Sequence, residues 1–152
     1  MHRFSGFTLV ELLITIAIVA ILASLAAPGF KEMIESNQVS TTANDLVASF
    51  LTARSEAIKQ EVNVTVAKDA TDGWKAGWTV KDANDDVIVE HKTTHGGITI
   101  TGNGILIDSM TYSPSGRASL NQVNDYFKIA MGNRERCVRF STTGRPHVGD
   151  CP

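Results

Sequence analysis

Among the side chains that could do chemistry in this 152-residue chain is one isolated carboxylate, Glu11. It is the single charged residue within residues 7–27 (FTLVELLITIAIVAILASLAA). A carboxyl near the start of an apolar helix costs about 2–3 kcal/mol at membrane depth, so its presence predicts a partner. The alternative is that Glu11 lies just inside a membrane interface and reaches water.

The two cysteines, Cys137 and Cys151, enclose a loop of about 15 residues, which a disulfide would stabilise by about 3 kcal/mol in the chain-entropy model. If the apolar run crosses an inner membrane with its N-terminus in the cytoplasm, both thiols lie in the oxidising periplasm and a bond is expected. It would hold residues 139–147 as a constrained loop. Two free thiols, or half of a metal site, are the alternatives.

Basic residues are concentrated at the C-terminus. From Lys128 onwards five cations stand against two acids, Glu135 and Asp150, a local balance of +3 in a chain of net charge −2. The cations are Lys128, Arg134, Arg136, Arg139 and Arg145. Together with His147 they are candidate phosphate-binding residues, because Arg can hold a phosphate with two hydrogen bonds. The alternative is a solvated rim, or ion pairs with a neighbouring protein.

Other reactive side chains stand in patterns typical of structural roles. His91 and His95 flank segments that predict strand and turn, where their spacing does not bring two imidazoles to one metal. Residues 82–86 (DANDD) resemble the start of a calcium loop but lack its required glycine, so we predict a β-turn. Trp74 and Trp78 could stack on bases, but we expect core or edge packing. No P-loop, dinucleotide fingerprint or G-x-S-x-G elbow occurs, and we predict no catalytic site, metal or cofactor.

The apolar run is long enough to cross a bilayer, since about 20 helical residues span the roughly 30 Å hydrocarbon core. The charge of Arg3 predicts that the six preceding residues stay in the cytoplasm. A secretory signal peptide cleaved after residues 26–27 (AA) is the alternative. Residues 28–29 (PG) predict a bend in the helix instead of its end.

Apolar residues beyond this bend recur at helical spacing and predict an amphipathic continuation to about Lys59. The predicted buried stripe comprises Leu46, Val47, Phe50, Leu51, Ala53, Ala57 and Ile58. Residues 35–42 are rich in Ser, Thr and Asn, so we expect a weak helix there. Short alternating segments then predict antiparallel strands at 62–66, 78–81, 87–90, 97–101, 105–112, 126–131 and 136–141. The result is an α+β fold with a helix packed on a sheet.

Residues 6–11 (GFTLVE) resemble the class III signal of type IV pilins and type II secretion pseudopilins. The resemblance implies that residues 1–6 are a leader, which a prepilin peptidase removes after Gly6 before methylating Phe7. It also implies that residues 7–28 form a transmembrane and filament-core helix, in which Glu11 pairs with the terminal amine of a neighbouring subunit. Such a pair would satisfy two charges that are costly to bury alone.

Four segments in order along the chain resemble the GspH/FimT family of minor pilins and pseudopilins. They are residues 53–58 (ARSEAI), 73–80 (GWKAGWTV), 112–118 (YSPSGRA) and 141–145 (STTGR). The family implies the type IV pilin-like fold, in which residues 29–60 continue the helix and residues 61–152 form a small periplasmic β-sheet head. It also implies a single-pass inner-membrane subunit that enters the filament at its tip, with other major and minor pilins, the prepilin peptidase and the inner membrane as partners.

Residues 144–147 (GRPH) resemble the Gly-Arg-x-Arg signature of FimT-type members, which implies binding of double-stranded DNA in natural transformation. His147 stands in place of the second arginine, and a histidine of ordinary pKa near 6.5 is mostly neutral at pH 7. The alternative within the family is an H-type minor pseudopilin of a type II secretion system, a structural tip subunit without DNA binding.

Overall fold

A computed structural model describes residues 7–92, 96–120 and 125–152. The chain divides into two compact units, Met1–Ile34 and Glu35–Pro152. Its first element is a long helix, α1 (Leu9–Gln60). The predicted cleavage residue Gly6, the whole predicted leader and His95 lie outside the described residues.

The first unit contains the N-terminal part of α1 (Leu9–Gln60), which is bent between Leu25 and Gly29. This position confirms the bend predicted from residues 28–29. Within the described residues, no single helix is long and apolar enough to cross a membrane. The two parts on either side of the bend, Leu9–Leu25 and Gly29–Gln60, together meet that criterion by length and composition.

Residues 35–42 are fully helical, so the prediction of a weak helix there is wrong. Val39, Thr42 and Ala43 are buried on one side of this segment, and Val39 and Ala43 belong to the hydrophobic core of the second unit. Tertiary packing supplies most of the stability of a helix in a protein, and here it overrides the low propensity of Ser, Thr and Asn.

Eight strands follow α1 in the described part of the chain. They are β1 (Val64–Asp69), β2 (Gly73–Lys81), β3 (Val87–Lys92), β4 (Thr99–Gly102), β5 (Ser109–Tyr112), β6 (Tyr126–Met131), β7 (Arg134–Phe140) and β8 (Pro146–Gly149). They form two antiparallel sheets, sheet 1 in the order β3-β2-β1-β5 and sheet 2 in the order β4-β6-β7-β8. The predicted α+β fold is confirmed, with its strands divided between two sheets.

Two segments have a different structure from the one predicted, and β2 begins at Gly73, five residues before the predicted strand at 78–81. Residues Gly104–Ile107 form a 3-10 helix in place of the first part of the predicted strand 105–112, and Gly104 begins it with a left-handed φ of +57°. The expected loop at residues 139–147 is instead the end of β7, a tight turn and the start of β8. β8 forms because the free edge of β7 satisfies its backbone groups.

The core of the second unit lies between α1 and the sheets. The ring of Phe50 on α1 lies 5.6 Å from that of Phe127 and 5.0 Å from that of Phe140, measured between centroids. Trp78 is buried and donates a hydrogen bond from Nε1 to Ser49 Oγ over 2.8 Å. This arrangement confirms that the helical stripe packs against strands.

The buried stripe is narrower than predicted. Leu46, Phe50, Ala53 and Ala57 are fully buried, whereas Leu51 and Ile58 are 43% and 49% exposed. The buried residues recur at spacings of three and four, so they alone follow one line along the helix.

Candidate functional site

Reciprocal hydrogen bonds define the start of α1. The Thr8 N–H and the Thr8 hydroxyl both donate to Glu11 Oε2 over 3.0 Å, and the Glu11 N–H donates to Thr8 Oγ1 over 3.2 Å. This is a capping box, in which each side chain satisfies a backbone donor that has no partner at the helix start. The pattern T-x-x-E at residues 8–11 is its signature and would have predicted it from the sequence.

The capping box leaves part of Glu11 available. Both bonds to the carboxylate end on Oε2, and Glu11 is exposed. In the described part of the chain, Oε1 is therefore open to an external cation. Phe7, the predicted methylated residue, lies just before the box and is 80% exposed.

The N-terminal unit exposes its large apolar side chains. They include Phe7, Leu9, Val10, Leu12, Leu13, Ile14, Ile16, Ile18, Val19, Ile21, Leu22, Leu25, Phe30, Met33 and Ile34, each more than half exposed. Contiguous apolar surface of this extent marks a site that another protein or a membrane covers.

Cys137 and Cys151 form a disulfide, with their Cα atoms 5.0 Å apart. This confirms the predicted bond and rules out the alternatives of free thiols or half of a metal site. Cys137 lies in β7 opposite Gly149 of β8, and Cys151 follows β8 by two residues. The bond therefore fastens the end of the chain to the middle of β7.

Three of the predicted basic residues share the outer face of sheet 2. Arg139 of β7 lies directly opposite His147 of β8, and Arg145 precedes His147 by two residues. Side chains two residues apart along a strand point to the same side. The alternate residues Val138, Phe140 and Pro146 are all buried. We call Arg139, Arg145 and His147 the outer basic face.

The other three predicted cations are placed differently. Lys128 is on the outer side of β6, but it pairs with Glu135, and the hydrogen bond to that carboxylate raises the Lys128 pKa. Arg136 lies three residues before Arg139 and therefore points to the opposite side of β7. There its Nη1 lies 3.1 Å from Asp150 Oδ1. Arg134 lines a polar groove with Ser36 and Ser40 of α1.

The outer basic face differs from these cations in its lack of counterions. Within residues 7–92, 96–120 and 125–152, neither Arg139 nor Arg145 makes a side-chain hydrogen bond or ion pair. The aliphatic part of Arg139 extends along β8, with Cδ 3.9 Å from the position that a Cβ on Gly149 would take. The aliphatic part of Arg139 is therefore packed against β8, whereas no described residue neutralises its guanidinium charge.

The remaining candidates have structural roles. Both tryptophans are buried, which confirms core packing and removes them as base-stacking surfaces. His91 stacks on Trp78, with centroids 4.2 Å apart, and its Nε2 lies 3.9 Å from Asp45 Oδ2. No group of three or more His, Cys, Asp or Glu side chains among the described residues is placed to hold a metal ion.

The segment at residues 82–86 is the predicted β-turn. Asp82 Oδ1 accepts hydrogen bonds from the N–H groups of Asn84 and Asp86, over 2.8 and 3.0 Å. The carboxylate is thus used by the turn's own backbone, as is typical of an Asx turn.

Two family models match this sequence. Residues 42–144 match the type II transport protein GspH, and residues 1–27 match the prokaryotic N-terminal methylation motif. The first match contains most of the second unit, and the second contains the apolar run with Glu11.

Similar proteins occur in Moraxella bovis. Fimbrial protein Q is 27% identical over 134 residues, which cover 88% of this chain and 73% of that protein. The type IV major alpha-pilin is 42% identical over 48 residues, 32% of this chain and 30% of that protein.

Among solved structures, crystal structures of the type IV minor pilin FimU from Pseudomonas aeruginosa have the same fold. One has a TM-score of 0.62 at 19% identity and covers 79% of this chain and 92% of that one. The other has a TM-score of 0.60 at 18% identity and covers 72% and 91%.

Proposed function

Because this chain belongs to the GspH family and carries an N-terminal methylation motif, we propose that it is a minor type IV pilin that enters the filament at or near its tip. The observation that carries the proposal is the exposed apolar surface of the N-terminal unit. Apolar surface removed from water contributes about 25 cal/mol per Å². The inner membrane covers this surface before assembly, and the helices of neighbouring pilins cover it afterwards.

Glu11 has a defined role in this assembly. Its Oε1 is open while Oε2 holds the capping box, so the carboxylate can accept the ammonium of a neighbouring subunit's Phe7 without loss of the helix cap. A charge pair inside an apolar core is stable only when both partners are present. It therefore fixes the axial position of one subunit against the next.

The test of this proposal is the processing of the chain. The protein purified from membranes should begin at an N-methylated Phe7, lacking residues 1–6, by intact-mass and peptide mass spectrometry. A Gly6→Leu variant should keep the leader, whereas Ala27→Leu, which removes the small residue of the alternative cleavage site, should be processed normally. A mature chain that begins near Gly29 would contradict the proposal.

A second function, binding of double-stranded DNA, is favoured by the uncompensated charges of the outer basic face. Arg139 and Arg145 lie on one side of a disulfide-fastened hairpin, so little ordering entropy is lost when they bind. Phosphates of a duplex would accept from both guanidinium groups irrespective of sequence. With few contacts, we expect weak binding that falls steeply with salt. The H-type minor pseudopilin is the alternative without this activity.

The test is a fluorescence anisotropy titration of a short duplex with the full chain in neutral detergent. Replacing Arg139 and Arg145 with Gln should lower the slope of log affinity against log salt by about 1.8, or 0.9 for each lost phosphate contact. Replacing Lys75 and Lys81, which pair with Asp72 and Asp85, removes the same charge and should leave the slope unchanged. No binding by the wild type at about 50 mM salt would assign these arginines to contacts between subunits.

A further inference from the structure

The structure contains the same turn twice. Residues 113–117 (SPSGR) and 141–145 (STTGR) match in sequence and in hydrogen bonding. In each turn the N–H of the first serine donates to the arginine carbonyl, over 2.9 and 3.0 Å, and the glycine N–H donates to the serine carbonyl over 2.8 Å. The hydroxyl groups at the first and third positions are 2.9 and 3.0 Å apart. Both glycines have a left-handed φ, +72° and +79°.

The flanking residues continue the repeat. Tyr112 pairs with Ala118 across the first turn, and Phe140 pairs with Pro146 across the second. Both aromatic residues are buried, and the arginine that ends each turn is exposed. Arg117 therefore occupies in the first hairpin the position that Arg145 occupies in the second.

The two hairpins meet at their turns. The Tyr112 hydroxyl donates to the Gly144 carbonyl over 2.6 Å. A methyl group on Gly144 would lie 2.4 Å from Ala118 Cβ, so the second turn rests directly on the residues that flank the first. Arg117 directly precedes Ala118, and Arg145 directly follows Gly144. We call this place the turn junction.

A third arginine lies beside the turn junction. Arg54 Nε of α1 is 3.3 Å from the position that a Cβ on Gly116 would take. Within the described residues, none of Arg54, Arg117 and Arg145 has a carboxylate partner. Arg117 and Arg145 therefore flank the contact between Ala118 and Gly144 with their charges unpaired, and an anion bound there would gain charge-assisted hydrogen bonds.

We propose that Arg117 is a second phosphate-binding residue of this protein, which extends the outer basic face across the turn junction. The proposal rests on the DNA-binding function proposed above and defines the surface on which the duplex lies. The ligand is the sugar-phosphate backbone, because Arg139 and Arg145 lie on one hairpin and Arg117 lies on the hairpin that contacts it. Cations spread over two adjoining hairpins suit a polyanion with regularly spaced charges better than a single carboxylate.

The experiment measures duplex binding by the full chain in neutral detergent at several salt concentrations. Arg117→Gln should lower the slope of log affinity against log salt by about 0.9, as Arg145→Gln does, and the double variant by about 1.8. Arg117→Lys should restore the slope because it keeps the charge, while losing the bidentate contact. Lys81→Gln is the charge-matched control and should bind as the wild type does. Circular dichroism melts verify that each variant is folded.

The outcomes separate this inference from the function on which it rests. If Arg145→Gln lowers the slope and a folded Arg117→Gln does not, DNA binding stands and the role of Arg117 is overturned. If the wild type does not bind DNA at all, both proposals fall, and the turn junction is left as a contact for a neighbouring subunit's carboxylates.

Discussion

Gly116 and Gly144 have nearly the same backbone conformation in different surroundings. A Cβ on Gly116 would meet the tip of the Ile58 side chain at 2.7 Å, and that tip can rotate away. A Cβ on Gly144 would meet Ala118 Cβ at 2.4 Å and the Ala118 backbone nitrogen at 2.9 Å, which cannot. The pair therefore separates the strain of a left-handed φ from the cost of a steric clash.

We predict that Gly144→Ala lowers the free energy of unfolding by about 1–3 kcal/mol more than Gly116→Ala does, because only the former adds overpacking to backbone strain. Urea unfolding of both variants measures the difference. Gly149→Ala, where Arg139 Cδ at 3.9 Å is the one contact within 4 Å among the described residues, is the benign control. Equal losses at positions 116 and 144 would mean that the turn junction relaxes and does not hold the two hairpins together.

At the scale of residues, the sequence predicted the role of a side chain better than it predicted which residues lie next to that side chain in the fold. The cysteine pair and the burial of both tryptophans followed from their types and context. The ion pair between Lys128 and Glu135 did not, because it depends on the register in which β6 meets β7. That register depends on residues that are far apart in the sequence. The lack of a counterion at Arg139 and Arg145 is therefore visible only in the structure.

At the scale of elements, β8 depends on contacts that are remote in sequence. It is four residues long and forms the outer edge of sheet 2, with β7 as its neighbour there. A short edge strand contributes few backbone hydrogen bonds, so the bond between Cys137 and Cys151 carries much of its attachment. The sequence predicted this bond but not the strand, since residues 146–149 (PHVG) have a proline and a glycine at their ends.

Removing the disulfide tests this dependence. Replacing Cys137 and Cys151 with Ser should lower the free energy of unfolding by about 2–4 kcal/mol, as expected for a loop of about 15 residues. Hydrogen exchange should show that the amides of β8 lose protection before those of β6. Wild-type protein treated with a reductant provides the matched control and should behave like the double variant. A melting temperature equal to that of the wild type would place β8 outside the cooperative unit.

Elements set by local pattern were easier to predict than those set by packing. β6 was predicted with its observed bounds, and α1 was predicted to within one residue of its end. The helix at residues 35–42 was predicted as weak and the 3-10 helix at Gly104–Ile107 was missed, because the first is held by the core and the second begins at a left-handed glycine. Both are cases in which tertiary context decides the local conformation.

At the scale of the whole molecule, the chain combines a head with its own core and a helix whose apolar surface has no cover within the described residues. Length, the apolar run and the methylation motif make this division visible from the sequence. The distribution of strands between two sheets is not visible, because alternation of polar and apolar residues predicts strands without naming their partners. The exposed apolar surface of the first unit therefore implies that a membrane or another protein covers it.

Two substitutions separate a role of Glu11 in its own helix from a role on a neighbouring subunit. Glu11→Gln keeps an acceptor for the Thr8 N–H, since Gln also serves in a capping box, but it removes the charge. Thr8→Ala removes the cap, at about 0.5–2 kcal/mol, and keeps the charge. If Glu11 pairs with a neighbouring ammonium, Glu11→Gln should be lost from sheared filaments, because an unpaired buried charge costs about 3–5 kcal/mol, while Thr8→Ala should still assemble. Immunoblots of the sheared and membrane fractions measure both variants, and the membrane fraction controls for expression. The opposite result, normal assembly of Glu11→Gln and failure of Thr8→Ala, would assign Glu11 to the helix cap alone.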